Sequence, residues 1–323
     1  MPARFLVSLW LALACAAPGL AAPLVATDIA PVHSLVARVM AGVGVPALIV
    51  PPGASPHGHS MRPSEAAALD RAEVVFWMGE GLTPWLEGPV ATLAGDAHVV
   101  ALLGAGGSTV RGFREGLTFG AGDAGDQGHD DRGDTHGDTR GDDGDGHAGH
   151  AHDGADPHAW LDPANARAWL GVIAADLARH DPENAARYEA NAAEARDELA
   201  ALQARISARL APVRDVPYLV YHDAYQYFEA RFGLVPEAAL SPGDAADPGP
   251  ARIAALRDLA RDAEVVCVFT EPQFDGRRVA AIFGGAVGHG ALDPLGSRHV
   301  PGPALYPMML TDMADALVEC PGG

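Results

Sequence analysis

Three histidines stand in distinctive local frames: Gly53-Ala-Ser-Pro-His57, Asp156-Pro-His158-Ala-Trp-Leu-Asp-Pro163 and Tyr221-His222-Asp-Ala-Tyr-Gln-Tyr-Phe228. Imidazole is the commonest protein ligand for zinc, and three imidazoles come close to filling a tetrahedral shell. These residue types point to a held metal ion. Carboxylates lie near them. Asp162 and Asp223 each neighbour a candidate histidine and could orient its ring through the second nitrogen, although a helix cap explains Asp162 equally well. His59, two residues from His57, reads as a supporting or surface residue. His33 opens a helix and reads as a capping or core histidine, and His98, His180, His289 and His299 lack ligand-like frames.

The elements that must position these groups follow from the apolar pattern. Leu24–Thr27, Ala47–Val50, Val74–Met78 and His98–Leu102 read as buried strands, alternating with helices at Pro31–Ala41, Pro63–Arg71 and Pro84–Leu93. Proline opens each of these helices, where its missing N–H costs nothing. A second series has strands at Tyr218–Tyr221, Ala238–Leu240, Val265–Phe269 and His289–Leu292, with helices at Ala224–Phe232, Pro250–Arg261, Arg277–Phe283 and Tyr306–Leu317. Such alternation implies parallel sheets covered on both faces. Between the two series, a helix over Pro163–Arg179 is followed by one from Pro182 to about Ala211. Tyr188, Ala192, Ala195, Leu199, Leu202, Ile206 and Leu210 form one apolar stripe along the latter. About thirty residues make a helix of roughly 45 Å, long enough to bridge two halves.

The expected fold is therefore α/β: two parallel-sheet lobes joined by a long backbone helix. The lobes take residues 23–180 and 213–323, with 181–212 linking them. Ligands of open parallel sheets bind beyond the carboxyl ends of the strands. His57, His222 and Asp293 follow strands there, and His158 sits at the mouth of a helix, so a site between the lobes is expected.

Composition sets the class. The 323 residues carry a formal charge of −20, which argues against nucleic acid or an anionic membrane surface and suits cations. Residues 121–156 hold eleven Asp, only two Arg, and five histidines: His129, His136, His147, His150 and His152. That segment has too little apolar surface to offset its ordering entropy and is expected to be disordered from about 120 to 156. Arg4, the apolar run Phe5–Ala17 and Gly19-Leu20-Ala21 read as an export signal cut after Ala21 or Ala22. The run of about 13 residues is shorter than the roughly 20 that span a bilayer. Lipid attachment at Cys15 stays open as an alternative. In the mature chain only Cys267 and Cys320 remain. In an exported protein they read as a pair, with two buried free thiols as the other reading.

The chain resembles the zinc-binding receptors of bacterial ABC importers, the ZnuA type within the cluster A-I metal receptors. The resemblance rests on Gly53-Ala-Ser-Pro-His57, Arg62-Pro63-Ser64, His158-Ala-Trp-Leu-Asp-Pro163, His222-Asp-Ala-Tyr-Gln-Tyr-Phe228, Cys267-Val-Phe-Thr-Glu-Pro-Gln-Phe274 and Leu292-Asp-Pro-Leu-Gly296. It implies His57, His158 and His222 as zinc ligands, with Asp293 or water in fourth place. It also implies a Cys267–Cys320 disulfide, a periplasmic location, and a membrane permease with its ATPase as partner. A monomer is expected. It places Glu271 in a family segment, as a supporting residue. A carboxylate at the His222 position would suit manganese, whereas imidazole suits zinc. Two other readings remain open from the residues: an adhesin or periplasmic zinc store acting without a transporter, and a zinc hydrolase with Glu271 as general base.

Overall fold

The computed structural model describes residues 22–114, 116, 118–119, 154–241, 248–274, 276–284 and 287–320. The segment read as an export signal up to Ala21, with Cys15, and the five histidines His129, His136, His147, His150 and His152 lie outside the described residues.

The first half runs β1 (Val25–Thr27), α1 (Ala30–Val39), β2 (Ala47–Leu48), α2 (Pro63–Asp70), β3 (Val74–Trp77), α3 (Glu87–Leu93) and β4 (His98–Ala101). Two helices follow, α4 (Pro163–His180) and α5 (Ala185–Leu210). The second half runs β5 (Tyr218–His222), α6 (Gln226–Phe232), β6 (Ala238–Ser241), α7 (Pro250–Asp262), β7 (Cys267–Thr270), α8 (Gly276–Phe283), β8 (Gly288–Ala291) and α9 (Leu305–Glu319). The two four-stranded sheets have the same wholly parallel arrangement, β2-β1-β3-β4 and β6-β5-β7-β8. In each, the chain direction across the sheet reverses beside the first strand, which opens a crevice at the strands' carboxyl ends.

The 26-residue α5 rises about 39 Å. Its buried residues are the seven of the apolar stripe, Tyr188 to Leu210. The helix does not stand apart as a bare strut, because one buried cluster takes in its stripe, α1, α4, α9 and residues of both sheets. Polar bonds cross between the halves as well. Tyr306 on α9 donates its hydroxyl to the Trp160 carbonyl at 2.6 Å and its N–H to Ser34 on α1 at 3.0 Å, and Trp160 donates to the Pro294 carbonyl at 2.7 Å. A shared core of this kind resists wide hinge opening.

The crevice of the first sheet is sealed by its own chain. Asp28, at the end of β1, accepts from the N–H groups of Ile29 and Met78, both at 2.8 Å. Burial pushes its carboxyl up to about 7. The matching crevice of the second sheet holds His222 at the end of β5 and Glu271 directly after β7.

Candidate metal centre

His57 sits in a single 3-10 turn, Pro56–Gly58, beyond β2. The turn is fixed by Trp85, whose indole N–H donates to the Pro56 carbonyl at 2.6 Å. His158 precedes the turn Ala159–Leu161 that leads into α4. His222 is the last residue of β5 and is buried. The three rings converge: the centroids of His57 and His158 are 5.6 Å apart, and those of His158 and His222 are 5.4 Å apart. A tetrahedral zinc with bonds of about 2.0 Å would set such centroids roughly 5 Å apart, so the rings need to close by only a few tenths of an ångström. Among the described residues, no three or more His, Cys, Asp or Glu side chains are yet drawn in tightly enough to hold an ion.

All three rings line one cavity, together with Trp160, Glu271, Phe274, Pro294 and Leu295. Its volume is about 20 Å³, room for one water-sized particle.

Two of the rings are oriented by carboxylates. Asp156 accepts from His158 Nδ1 at 2.7 Å and from the His158 N–H at 2.9 Å. Glu271 makes a short bond to His222 Nδ1. A ring that gives its Nδ1 proton to a carboxylate carries its lone pair on Nε2, the form a metal needs. Burial, helped by the neighbouring His158 and His222, holds His57 down at about 2. Burial brings His222 to about 4, against the opposing pull of Asp223 and Asp156. Burial also pushes Glu271 up to about 8.

Because the folded values of His57 and His222 lie below the unfolded value of about 6.5, the unfolded chain takes up these protons first. The two rings favour folding fully above that pH and lose the contribution as pH falls toward their folded values. Raised acids such as Glu271 act with the opposite sign, so the ring resonances are the direct readout. In a histidine NMR titration of the metal-free protein, His57 and His222 should stay unprotonated from pH 7 to 5. A midpoint near 6.5 for either would contradict the buried geometry.

The other expected supporting residues are placed differently. Asp162 caps α4, accepting from the Ala164 N–H at 2.8 Å, and pairs with Arg231 at 2.6 Å. Asp223 takes the guanidinium of Arg114, which also bonds Glu229 at 2.8 Å. Burial alone would lower that guanidinium, but the Glu229 and Asp223 carboxylates outweigh it and raise it. Both carboxylates therefore serve arginines rather than imidazoles. His59 bonds Glu65 at 2.8 Å and lies edge-on to Trp85. Asp293 is buried but turned into its own loop: it accepts from the Leu295 N–H at 3.2 Å and from the Ser297 hydroxyl at 2.8 Å. Gly296 closes that loop at φ +64°, where an added Cβ would meet Leu305 at 3.0 Å.

Asp156 was not among the expected supporting residues. It lies at the end of the stretch read as disordered, yet it is fully buried. The one signal for it in sequence is Asp-Pro-His, which holds a carboxylate two residues before His158.

Comparisons with known proteins show the family. The family described as "Zinc-uptake complex component A periplasmic" matches residues 25–320. The chain belongs to this family. It is 41% identical over 302 residues to the high-affinity zinc uptake system protein ZnuA of Paracoccus denitrificans, covering 93% of this chain and 92% of that protein. It is 42% identical over 303 residues to its counterpart in Brucella abortus (strain 2308), covering 92% and 91%. Among solved structures, a ZnuA deletion mutant with zinc bound shares the fold at TM-score 0.71 and 22% identity, covering 93% of this chain and 98% of that one. The periplasmic zinc-binding protein TroA of Treponema pallidum does so at 0.70 and 17%, covering 92% and 98%. At these identities the structures speak for the fold alone. Members of this family are transport receptors, not enzymes.

Proposed function

We propose that the chain captures Zn²⁺ in the periplasm and delivers it to the membrane permease of an ABC importer, with no bond chemistry. The observation that carries this reading is the convergence of three rings, from three distant stretches of chain, on a cavity the size of one ion. His57, His158 and His222 are the proposed ligands. Asp293 or water takes the fourth position. A carboxylate oxygen has lone pairs enough to keep its bonds to the turn and still reach a cation. Asp156 and Glu271 stand behind His158 and His222, at one bond's remove from the ion. We place the lobes at 23–180 and 213–323, joined by 181–212; the two separate sheets and the span of α5 support that division. Export by residues 1–22 accords with the family's periplasmic description.

The test is titration of the metal-depleted mature protein with zinc against manganese and copper, followed by zinc uptake in cells lacking the chain. One tight zinc per chain and restored uptake support the reading. Tight binding without any effect on uptake would favour a zinc store or adhesin. Genes for a permease and an ATPase beside this one would support delivery.

We also propose that His129, His136, His147, His150 and His152, with the aspartates around them, recruit zinc weakly and raise its concentration near His158. Deleting residues 121–153 should lower the number of weakly bound zinc ions and spare the tight site. The deletion has to stop short of Asp156, which orients His158. Unchanged total stoichiometry by isothermal titration would sink the recruiting role.

A further inference from the structure

Asp156 does for His158 what Glu271 does for His222, but Asp156 belongs to a short stretch that must itself be held in place. Its Oδ1 is occupied by His158, through both the ring and the backbone N–H. Its Oδ2 accepts from Gln226 Nε2 at 2.5 Å. Gln226 opens α6, four residues after His222. The same amide nitrogen donates its second proton to the Gly112 carbonyl at 2.9 Å. The next residue, Tyr227, accepts from the Arg111 N–H and donates to the Asp156 carbonyl, both at 2.8 Å. Residues 111–112 and 155–156 are also joined to each other: the Asp156 N–H donates to the Arg111 carbonyl at 2.8 Å, and Gly112 pairs with Ala155. Backbone bonds thus fix where Asp156 stands, and Gln226 fixes which way its carboxylate is turned. A buried carboxylate oxygen that loses its donor is costly and will rotate to find another. Rotation about the Asp156 side chain would take Oδ1 away from His158.

We propose that Gln226 is a positioning residue for metal capture. It locks Asp156, which holds His158 in the Nδ1–H form with Nε2 facing the cavity. The helix α6 that follows the strand supplying His222 thereby also sets the orientation of a ligand from the other side of the cleft. This inference rests on the reading of the three histidines as zinc ligands.

The test is Gln226→Met, which keeps length and volume and removes both donors. Zinc affinity is measured by competition with a chromogenic chelator, and the His158 tautomer by ring ¹⁵N NMR of the metal-free protein. The variant should bind zinc roughly 10- to 100-fold more weakly, as when other outer partners of metal ligands are lost. Its His158 should show a mixed tautomer in place of the Nδ1–H form. In an Asp156→Ala background, Gln226→Met should cause no further loss, because its effect passes through Asp156. Should the methionine variant fail to fold, Gln226→Asn, one methylene short of Asp156, must show the same weakening and the same tautomer change. Parent-like affinity with an unchanged His158 tautomer would overturn the proposal, as would a full additional loss in the Asp156→Ala background. If the parent chain itself takes up no zinc, the receptor reading falls, while the tautomer comparison in metal-free protein still decides the role of Gln226.

Discussion

Replacing His222 with alanine is expected to weaken zinc binding by more than about 100-fold, since even the loss of a group that merely orients a ligand costs 10- to 100-fold. His222 ends β5 at the crevice of the second sheet and is buried between His158, Phe274 and Glu271. Among the described residues, His59 does not line the cavity and is engaged with Glu65 and Trp85, so it is not placed to replace it. The variant should still fold. Glu271 loses its partner, but burial already pushes that carboxyl up to about 8, so it meets the loss largely as a neutral acid. The measurement is a melting curve with and without zinc. In the parent, zinc at 1,000 times its Kd adds about 4 kcal/mol to stability. In His222→Ala at the same zinc concentration the stabilisation should fall to about 1.4 kcal/mol or less, while the metal-free melting temperature stays close to that of the parent. The same loss is expected for His57→Ala and His158→Ala.

Opening the Cys267–Cys320 disulfide is expected to cost about 4 kcal/mol, from the loop of 53 residues that it closes. The bond ties the end of α9 to the start of β7, and the strand beside it is built to let it pass. A Cβ on Gly290 would meet the Phe269 ring at 2.5 Å, and one on Gly288 would crowd both sulfurs at 3.3 Å. Cys320→Ser should lower the free energy of unfolding in urea by that amount. Zinc affinity of the folded variant should remain near that of the parent, because Cys267 begins β7 whereas Glu271 follows its end. The two lie four residues apart, or about 13 Å along an extended strand. A joint loss of stability and affinity would mean that the bond also shapes the metal centre.

Much of this was legible in the sequence because the governing signals are local. The seven apolar positions of α5 fall at steps of three and four, and those same seven are buried. The strands appear within one or two residues of their expected bounds, but β4, read as buried, is largely exposed because it forms an edge of its sheet. β7 starts at Cys267 rather than Val265 because Val265 is still bonded to the end of α7, through the Ala260 carbonyl, and Val266 to Pro217. The three histidines could be picked from fourteen by their frames, and the structure brings those three together. The carboxylates were harder to read. Nearness in sequence suggested Asp162 and Asp223 as partners of imidazoles, but the direction of a side chain depends on what stands opposite. Arg231 and Arg114 come from distant stretches that no local pattern connects to them. Asp156 was hidden by composition, since it ends a run dominated by Asp, Gly and His, and its tertiary partners Gln226 and Tyr227 make it a buried residue.

The central claim is that a single zinc ion is held by His57, His158 and His222 at the cleft. The most direct measurement is anomalous diffraction at the zinc edge from crystals grown with one equivalent of zinc. The expected result is one strong peak about 2.0 Å from a nitrogen of each of the three rings. A peak centred elsewhere, or bonded to only one of these rings, would contradict the account.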